Sequence, residues 1–302
     1  MLVSERSSDV RLDAWVVSGV VAAQFPELAG APVRLFGAGW DNELYSVGAE
    51  WIFRFPKRAK RVPWLIREIQ IMAVVGRVLG DIMPRFEHIG EASDLFPYPF
   101  VGYRRLFGIG ADQSAAADLR GLSADLGRLL SLLHGIDAGD IPPTPDAWEH
   151  EPWSHLRTDL VAHADIVRPL LAPDVRAKAG PYLAGEIGEP PQDGPCRFIH
   201  NDICPDHLLV DPATGRLTGL IDFTDAMTGE VVLDFVGLIG IGDYEFIRQV
   251  AANYDLPLGA GFDAKLGWLA RTLTLTWLGE AADDDPVNIP KHLNWVERAF
   301  RD

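Results

Sequence analysis

Two cysteines in 302 residues, Cys196 and Cys204, exclude a disulfide framework, and neither stands at a metal-binding spacing. Cys204 reads as a small apolar filler. No run of about eighteen apolar residues occurs, and the start Met1-Leu2-Val3-Ser4-Glu5-Arg6 has no apolar signal core. The expectation is a soluble cytoplasmic protein with no membrane partner. Positive charge is also scarce, with 27 Lys and Arg against 43 Asp and Glu and a formal net charge of −16. Such a surface repels nucleic acid and attracts cations, so a cationic small molecule is the expected partner. Internal repeats and low-complexity tracts are absent. What is present, 48% hydrophobic residues and 9 Trp, is enough for a large core divided between two domains or lobes.

The chemistry concentrates in His200-Asn201-Asp202-Ile203-Cys204-Pro205-Asp206-His207 and in Ile221-Asp222-Phe223. Between them, the apolar runs Leu208-Leu209-Val210 and Leu217 to Ile221 flank the turn formers Asp211-Pro212-Ala213-Thr214-Gly215. The pattern predicts a β-hairpin, which returns Asp222 toward the start of the first strand beside His207. Alone, a His-x-Asp pair is an Asp fixing a tight turn beside a core His. Three acceptors from two loops are the minimum equipment for phosphoryl transfer, a base for the hydroxyl and ligands for a metal. Mg²⁺ prefers oxygen, which makes Asp222 the stronger ligand. Imidazole suits zinc better, so His207 either binds the ion or donates a hydrogen bond beside it.

These motifs, with Asp225 after Phe223, resemble the catalytic and metal motifs of the aminoglycoside and macrolide phosphotransferases, small-molecule relatives of protein kinases. His207 after Asp206, where most of that superfamily has Asn, is similar to the 2″-aminoglycoside phosphotransferases, and macrolide phosphotransferases carry His as well. The resemblance implies that Asp202 is the catalytic base, Asp222 the principal Mg²⁺ ligand and His207 the second metal-side residue. Asp234, in Val232-Leu233-Asp234-Phe235-Val236, matches an acid that braces the catalytic loop, with His200 structural beside it. It also implies an α+β, two-lobed protein-kinase-like fold: a small lobe over residues 1–106 with an antiparallel sheet, and a larger, mostly helical lobe over 107–302.

In the amino-terminal part, Phe36-Gly37-Ala38-Gly39-Trp40-Asp41-Asn42 predicts a loop joining two strands, where Gly37 and Gly39 let backbone amides approach phosphates. The following Trp51-Ile52-Phe53-Arg54-Phe55 sets a cation among apolar residues. The family has Lys there, paired with a helix Glu; this chain has Arg54 and Glu68. Arg grips phosphate bidentately but is not interchangeable with Lys. Lys57 is a second cation able to share the role, although Lys57, Arg58, Lys60 and Arg61 are expected to form a solvated face.

Apolar spacing predicts helices over 9–28, capped by Ser8 or Asp9, over 64–78 and over 114–133, the last stopped at His134-Gly135 with His134 structural. Further helices are expected over 244–254, 262–278 and 291–300, and a Pro- and Trp-containing loop over 137–154. The stretch 96–108 ends the first lobe; by resemblance Arg104 and Leu106 bind the nucleotide base and Tyr103 backs its pocket. Asp243 and Glu245 align with ammonium-binding acids, and Trp268, Trp277 and Trp295 are candidates to pack on sugar rings or cations. The expectation is a monomeric kinase using ATP or GTP with Mg²⁺ on an aminoglycoside hydroxyl. Macrolide 2′-phosphorylation, a metabolic small-molecule kinase, and a catalytically silent kinase-like binding protein are the alternatives.

Overall fold

The computed structural model describes residues 8–113, 119–145, 153–188 and 194–301. The chain forms two compact units: Met1–Phe107 with Ile141–Asp146 and Gly219–Thr224, and Gly108–Asp140 with Ala147–Thr218 and Asp225–Asp302.

In the first unit, helix α1 (Ala14–Gln24) packs on strands β1 (Val33–Ala38) and β2 (Asn42–Val47). Strand β3 (Trp51–Pro56), helix α2 (Val62–Leu79) and strands β4 (Phe86–Gly90) and β5 (Phe100–Arg104) complete it. The strands make one antiparallel sheet in the order β1-β2-β3-β5-β4. β3 is central, and Ile52 to Pro56 are all buried, as an almost uninterrupted apolar run requires. Phe55 stacks on Phe100 with ring centroids 4.7 Å apart, and Val17, Val21 and Tyr45 close the same core.

Helix α1 starts later and stops sooner than its apolar spacing suggests. Asp13 is the cap, its carboxylate accepting from Trp15 N at 2.9 Å and Val16 N at 3.0 Å. Ser8 bonds the carbonyls of Val10 and Lys57, and Asp9 accepts from Ala59 N. Pro26 then ends the helix, since its ring cannot continue the backbone ladder. α2 carries Pro at its first turn and ends at Gly80, whose φ of +64° suits glycine.

The second unit begins with strand β6 (Ile109–Gly110) and helix α3 (Leu119–His134). Residues 114–118 of the expected helix lie outside the described residues. Leu122, Leu126, Leu130 and Leu133 bury one face of α3, which packs on the later helix α8 (Tyr244–Ala251). There follow α4 (Trp153–Ala162), α5 (Ala164–Val167), α6 (Pro173–Leu183), β7 (Cys196–Ile199), β8 (Leu208–Val210), β9 (Leu217–Leu220), β10 (Met227–Glu230), α7 (Val232–Val236), α8 (Tyr244–Ala251), α9 (Phe262–Asp284) and α10 (Ile289–Ala299). α9 packs against α10, α7 and α4. Its buried Thr272, Thr274 and Thr276 return their hydroxyls to the carbonyls of Trp268, Ala270 and Thr272, which makes these polar residues admissible in the core.

The predicted hairpin is present, with β8 between β6 and β9. Asp211 Oδ1 accepts from Ala213 N and Thr214 N, and Gly215 takes φ +68°. Arg216 then grips Asp125 of α3 with both arms of its fork at 2.6 Å. No helix among the described residues is long and apolar enough to cross a membrane.

Candidate active site

Each unit contributes one cluster. In the first, β3 sends Arg54 inward from the sheet centre, where it pairs with Glu68 on α2. Both are buried, at 6% and 1% exposure, so the ion pair is withdrawn from water and each charge depends on the other. Burial pushes the Glu68 carboxyl up against the opposing pull of Arg54. Burial alone would weaken the Arg54 guanidinium, but the charges of Glu68 and Asp222 outweigh it and hold the group cationic. Asp222 Oδ1 lies 3.7 Å from the other guanidinium nitrogen. Its φ of +65° is uncommon for a residue with a side chain. The Thr224 hydroxyl lies 3.0 Å from Glu68 Oε2 and 2.8 Å from Asp222 Oδ1. Tyr103 is buried close by, and burial pushes its phenol up to about 12.

In the second unit, the loop after β7 carries Asp202 and is held from beneath by Asp234, the latter fully buried on α7. The two oxygens of Asp234 accept from His200 N at 2.8 Å and Asn201 N at 2.7 Å. His134 Nε2 approaches the same carboxylate at 3.0 Å, and its Nδ1 lies 2.9 Å from the Tyr254 hydroxyl. A carboxylate only accepts, so His134 donates from Nε2 and Tyr254 donates to Nδ1. The whole brace is thereby satisfied. Asn201 turns the loop with φ +64°, and Asp202 N donates to His200 Nδ1 at 3.3 Å. His207 Nδ1 lies 2.9 Å from the Asp202 carbonyl and 3.3 Å from its carboxylate. Both are acceptors, so Nδ1 carries a proton that it shares with Asp202.

Glycine packs this loop closely. A Cβ on Gly237 would meet the Ile203 carbonyl oxygen at 1.5 Å, and one on Gly240 would meet the Pro205 ring at 2.7 Å. Asp206 is paired with Lys291 of α10. Ligand atoms of Asp202, Cys204 and His207 lie within 4.8 Å of one another. The sequence spacing of Cys204 therefore missed a grouping that the loop's turn creates.

Other candidates occupy different stations. Gly37 lies inside β1 beside a bulge rather than in a loop, and the turn is confined to Gly39 and its successors, with Gly39 N donating to Asn42 O. A Cβ at Gly37 meets nothing within 4 Å, and at Gly39 nothing closer than 3.9 Å, so packing demands neither glycine. The expected solvated basic face is corrected. Lys57 and Arg58 are buried, Lys57 donating to Gly39 O while Arg58 and Arg61 hold Asp41 at 2.7 Å, because the turn's carbonyl and carboxylate need cationic partners. Arg104 ends β5 with its side chain on Glu50 and over Trp51, and Leu106 follows, half-buried.

Asp243 caps α8, accepting from Glu245 N and Phe246 N, while Glu245 is exposed 3.8 Å from Arg248. Trp277 and Trp295 meet edge to face at 5.9 Å, with Lys291 5.2 Å over Trp295. Trp268 is about 13 Å along α9 from Trp277 and donates to Gly188 O. Trp295 also lines a cavity of about 410 Å³ with Asp112, Lys291 and Arg298. Thr224, His134 and Tyr254 were not singled out as site residues. A hydroxyl two places after Asp222 was the available signal for Thr224, whereas the other two are linked to the loop only by folding.

Residues 32–271 match the phosphotransferase enzyme family. The GDP complex of aminoglycoside 2′-phosphotransferase-IIIa is similar at 26% identity and a TM-score of 0.73, over 95% of this chain and 98% of that one. The GDP and kanamycin complex of APH(2″)-IIia is similar at 25% and 0.70, over 94% and 97%. A macrolide 2′-phosphotransferase from Brachybacterium faecium, at 18% and 0.60 over 96% and 98%, shares the fold. The antiparallel-sheet and helical units are those of an α+β kinase-like fold, and the chain belongs to the phosphotransferase enzyme family.

Proposed function

We propose that this phosphotransferase moves the γ-phosphate of ATP or GTP, with Mg²⁺, to a hydroxyl of an aminoglycoside. The observation that carries the reading is the presence in one chain of a buried Arg54–Glu68 pair beside Asp222 and of Asp202 on a loop braced by Asp234. The donor set fits a hard cation, since Asp222 and Thr224 offer oxygen. Asp222 would be the main ligand and His207 a second metal-side group through Nε2. A bound Mg²⁺ supplies neutralisation of phosphate charge.

The residues divide the work. Arg54 Nε is buried without a hydrogen-bond partner, and in this reading the Arg54 cation is assigned to stabilising the transferring phosphate. Gly37 and Gly39 leave room for backbone to approach phosphate, and the segment 103–106 receives the base, with Arg104 and Leu106 binding it and Tyr103 at the back of the pocket. The Asp202 carboxylate orients the acceptor hydroxyl and takes its proton as the new O–P bond forms and the bond to the β-phosphate oxygen breaks. Asp243, Glu245 and the three Trp are the residues assigned to a cationic sugar. Complexes of similar proteins with GDP and with GDP and kanamycin support a guanine nucleotide and an aminoglycoside acceptor. The chain acts as a cytoplasmic monomer in this reading, with residues 1–106 binding nucleotide and 107–302 catalysing.

A coupled turnover assay with Mg²⁺, ATP and GTP, run against aminoglycosides, macrolides and choline-like alcohols, tests it. Stimulation by aminoglycosides is expected. Stimulation by another class reassigns the acceptor, and nucleotide binding without stimulation across the panel favours a silent binding protein.

A further inference from the structure

Arg54 and Thr224 contact the same two carboxylate oxygens. Arg54 pairs through one terminal nitrogen with Glu68 Oε2 and approaches Asp222 Oδ1 at 3.7 Å through the other. The Thr224 hydroxyl stands 3.0 Å and 2.8 Å from those same atoms. The four side chains close a ring, with three of them buried and Asp222 half-buried. Two carboxylates here share the Arg54 cation, and the Thr224 hydroxyl adds a single hydrogen between them. That hydrogen serves one carboxylate at a time. When Asp222 is engaged elsewhere, it remains for Glu68; when Glu68 is satisfied by Arg54, it steadies Asp222.

We infer that Thr224 is a positioning residue of the nucleotide side and that Arg54 and Thr224 work as a pair, which gives the arginine in place of lysine a physical reason. A guanidinium reaches two acceptors at fixed separation, whereas an ammonium is a point charge that settles on one. With Lys at this position the ring opens on one side, and the Thr224 hydroxyl no longer joins two carboxylates held at a fixed separation. With the hydroxyl removed, the fork of Arg54 alone separates two like charges. Either loss leaves Asp222 free to leave its left-handed station, and either makes the other partner's contribution smaller.

The nucleotide part of this inference rests on the proposed function, and the ring itself does not. Two measurements separate them, both on the full chain: thermal unfolding, and titration with a fluorescent guanine nucleotide in the presence of Mg²⁺. The proteins are wild type, Thr224→Val, Thr224→Ser, Arg54→Lys and the Arg54→Lys/Thr224→Val double variant. Each disruptive single change is expected to lower the melting midpoint by about 2–4 °C, and the double variant by less than the sum of the two. Additive shifts overturn the ring. Thr224→Val is expected to raise the nucleotide dissociation constant about tenfold, the scale of one hydrogen bond to a charged group. Thr224→Ser, which keeps the hydroxyl, should remain within about twofold of wild type. An unchanged constant in Thr224→Val, or no rescue by Ser, overturns the positioning role. If wild type binds no nucleotide, the functional reading fails, and the unfolding cycle still decides the ring.

Discussion

Asp202 and Asp222 owe their stations to backbone geometry as much as to side-chain contacts. The left-handed φ of Asn201 and of Asp222 costs on the order of 1 kcal/mol each, and surrounding contacts retain both. Asp202→Ala is expected to abolish phosphoryl transfer while leaving nucleotide affinity nearly unchanged, as read by turnover and by nucleotide titration. Asp222→Ala should instead weaken Mg²⁺-dependent nucleotide binding; equal affinity with and without Mg²⁺ in wild type would remove Asp222 from the metal side. Gly237 presses on the loop carrying Asp202 from the other direction. Gly237→Ala should destabilise by about 1–3 kcal/mol through overpacking and lower turnover with it. An alanine variant that matches wild type in both denaturant unfolding and rate would show that the loop tolerates displacement.

The loop and the hairpin are each pinned to α3, the loop through His134 and the hairpin through Asp125. The Asp125 carboxyl is held below its ordinary value of 3.8: burial opposes ionisation, but the hydrogen bonds and charge of Arg216, with Leu217 N, outweigh it. A lowered folded-state value means that the stabilisation is fully present above the unfolded-state value and is lost as pH falls through the folded one. Wild type should therefore lose stability below about pH 4 more steeply than Asp125→Asn, which lacks the titrating group; parallel pH–stability curves would refute the clamp. Asp234 is less forgiving. Asp234→Ala leaves the amides of His200 and Asn201 without their acceptor inside a buried brace, and about 2–5 kcal/mol of destabilisation is expected in chemical unfolding.

For the whole molecule, the net charge of −16 is the property that acts at a distance. A field of this sign concentrates cationic ligands near the surface and is screened within about 8 Å at physiological salt. With an aminoglycoside acceptor, KM should rise several-fold between about 50 and 300 mM salt while kcat stays nearly constant. A flat KM would assign the acidity to solubility alone. Length and apolar content imply two domains or lobes, and individual strands and helices were legible from apolar runs and helical spacing, whereas the antiparallel sheet followed from the resemblance. Boundaries were less so: α1 slipped because three residues within six positions, Ser8, Asp9 and Asp13, all have capping side chains, and only contacts to Lys57 and Ala59 distinguish them.

By itself, the sequence determined the local chemistry. The order of acids and imidazoles around a hairpin carried the resemblance to the phosphotransferase family, and the Asp211 turn and the Leu spacing of α3 follow from backbone propensity and periodicity, which are short-range. Beyond the Arg54–Glu68 pair that the resemblance implied, tertiary structure decided which polar groups face each other. Glu68 and Thr224 are 156 residues apart, as are Arg67 and Phe223, yet only the first pair joins the ring with Arg54 and Asp222. Burial of Lys57 and Arg58 and the meeting of His134, Tyr254 and Asp234 were equally hidden. The reason is physical: a side chain's partners are set by the packing of elements distant along the chain, and no one-dimensional period encodes that.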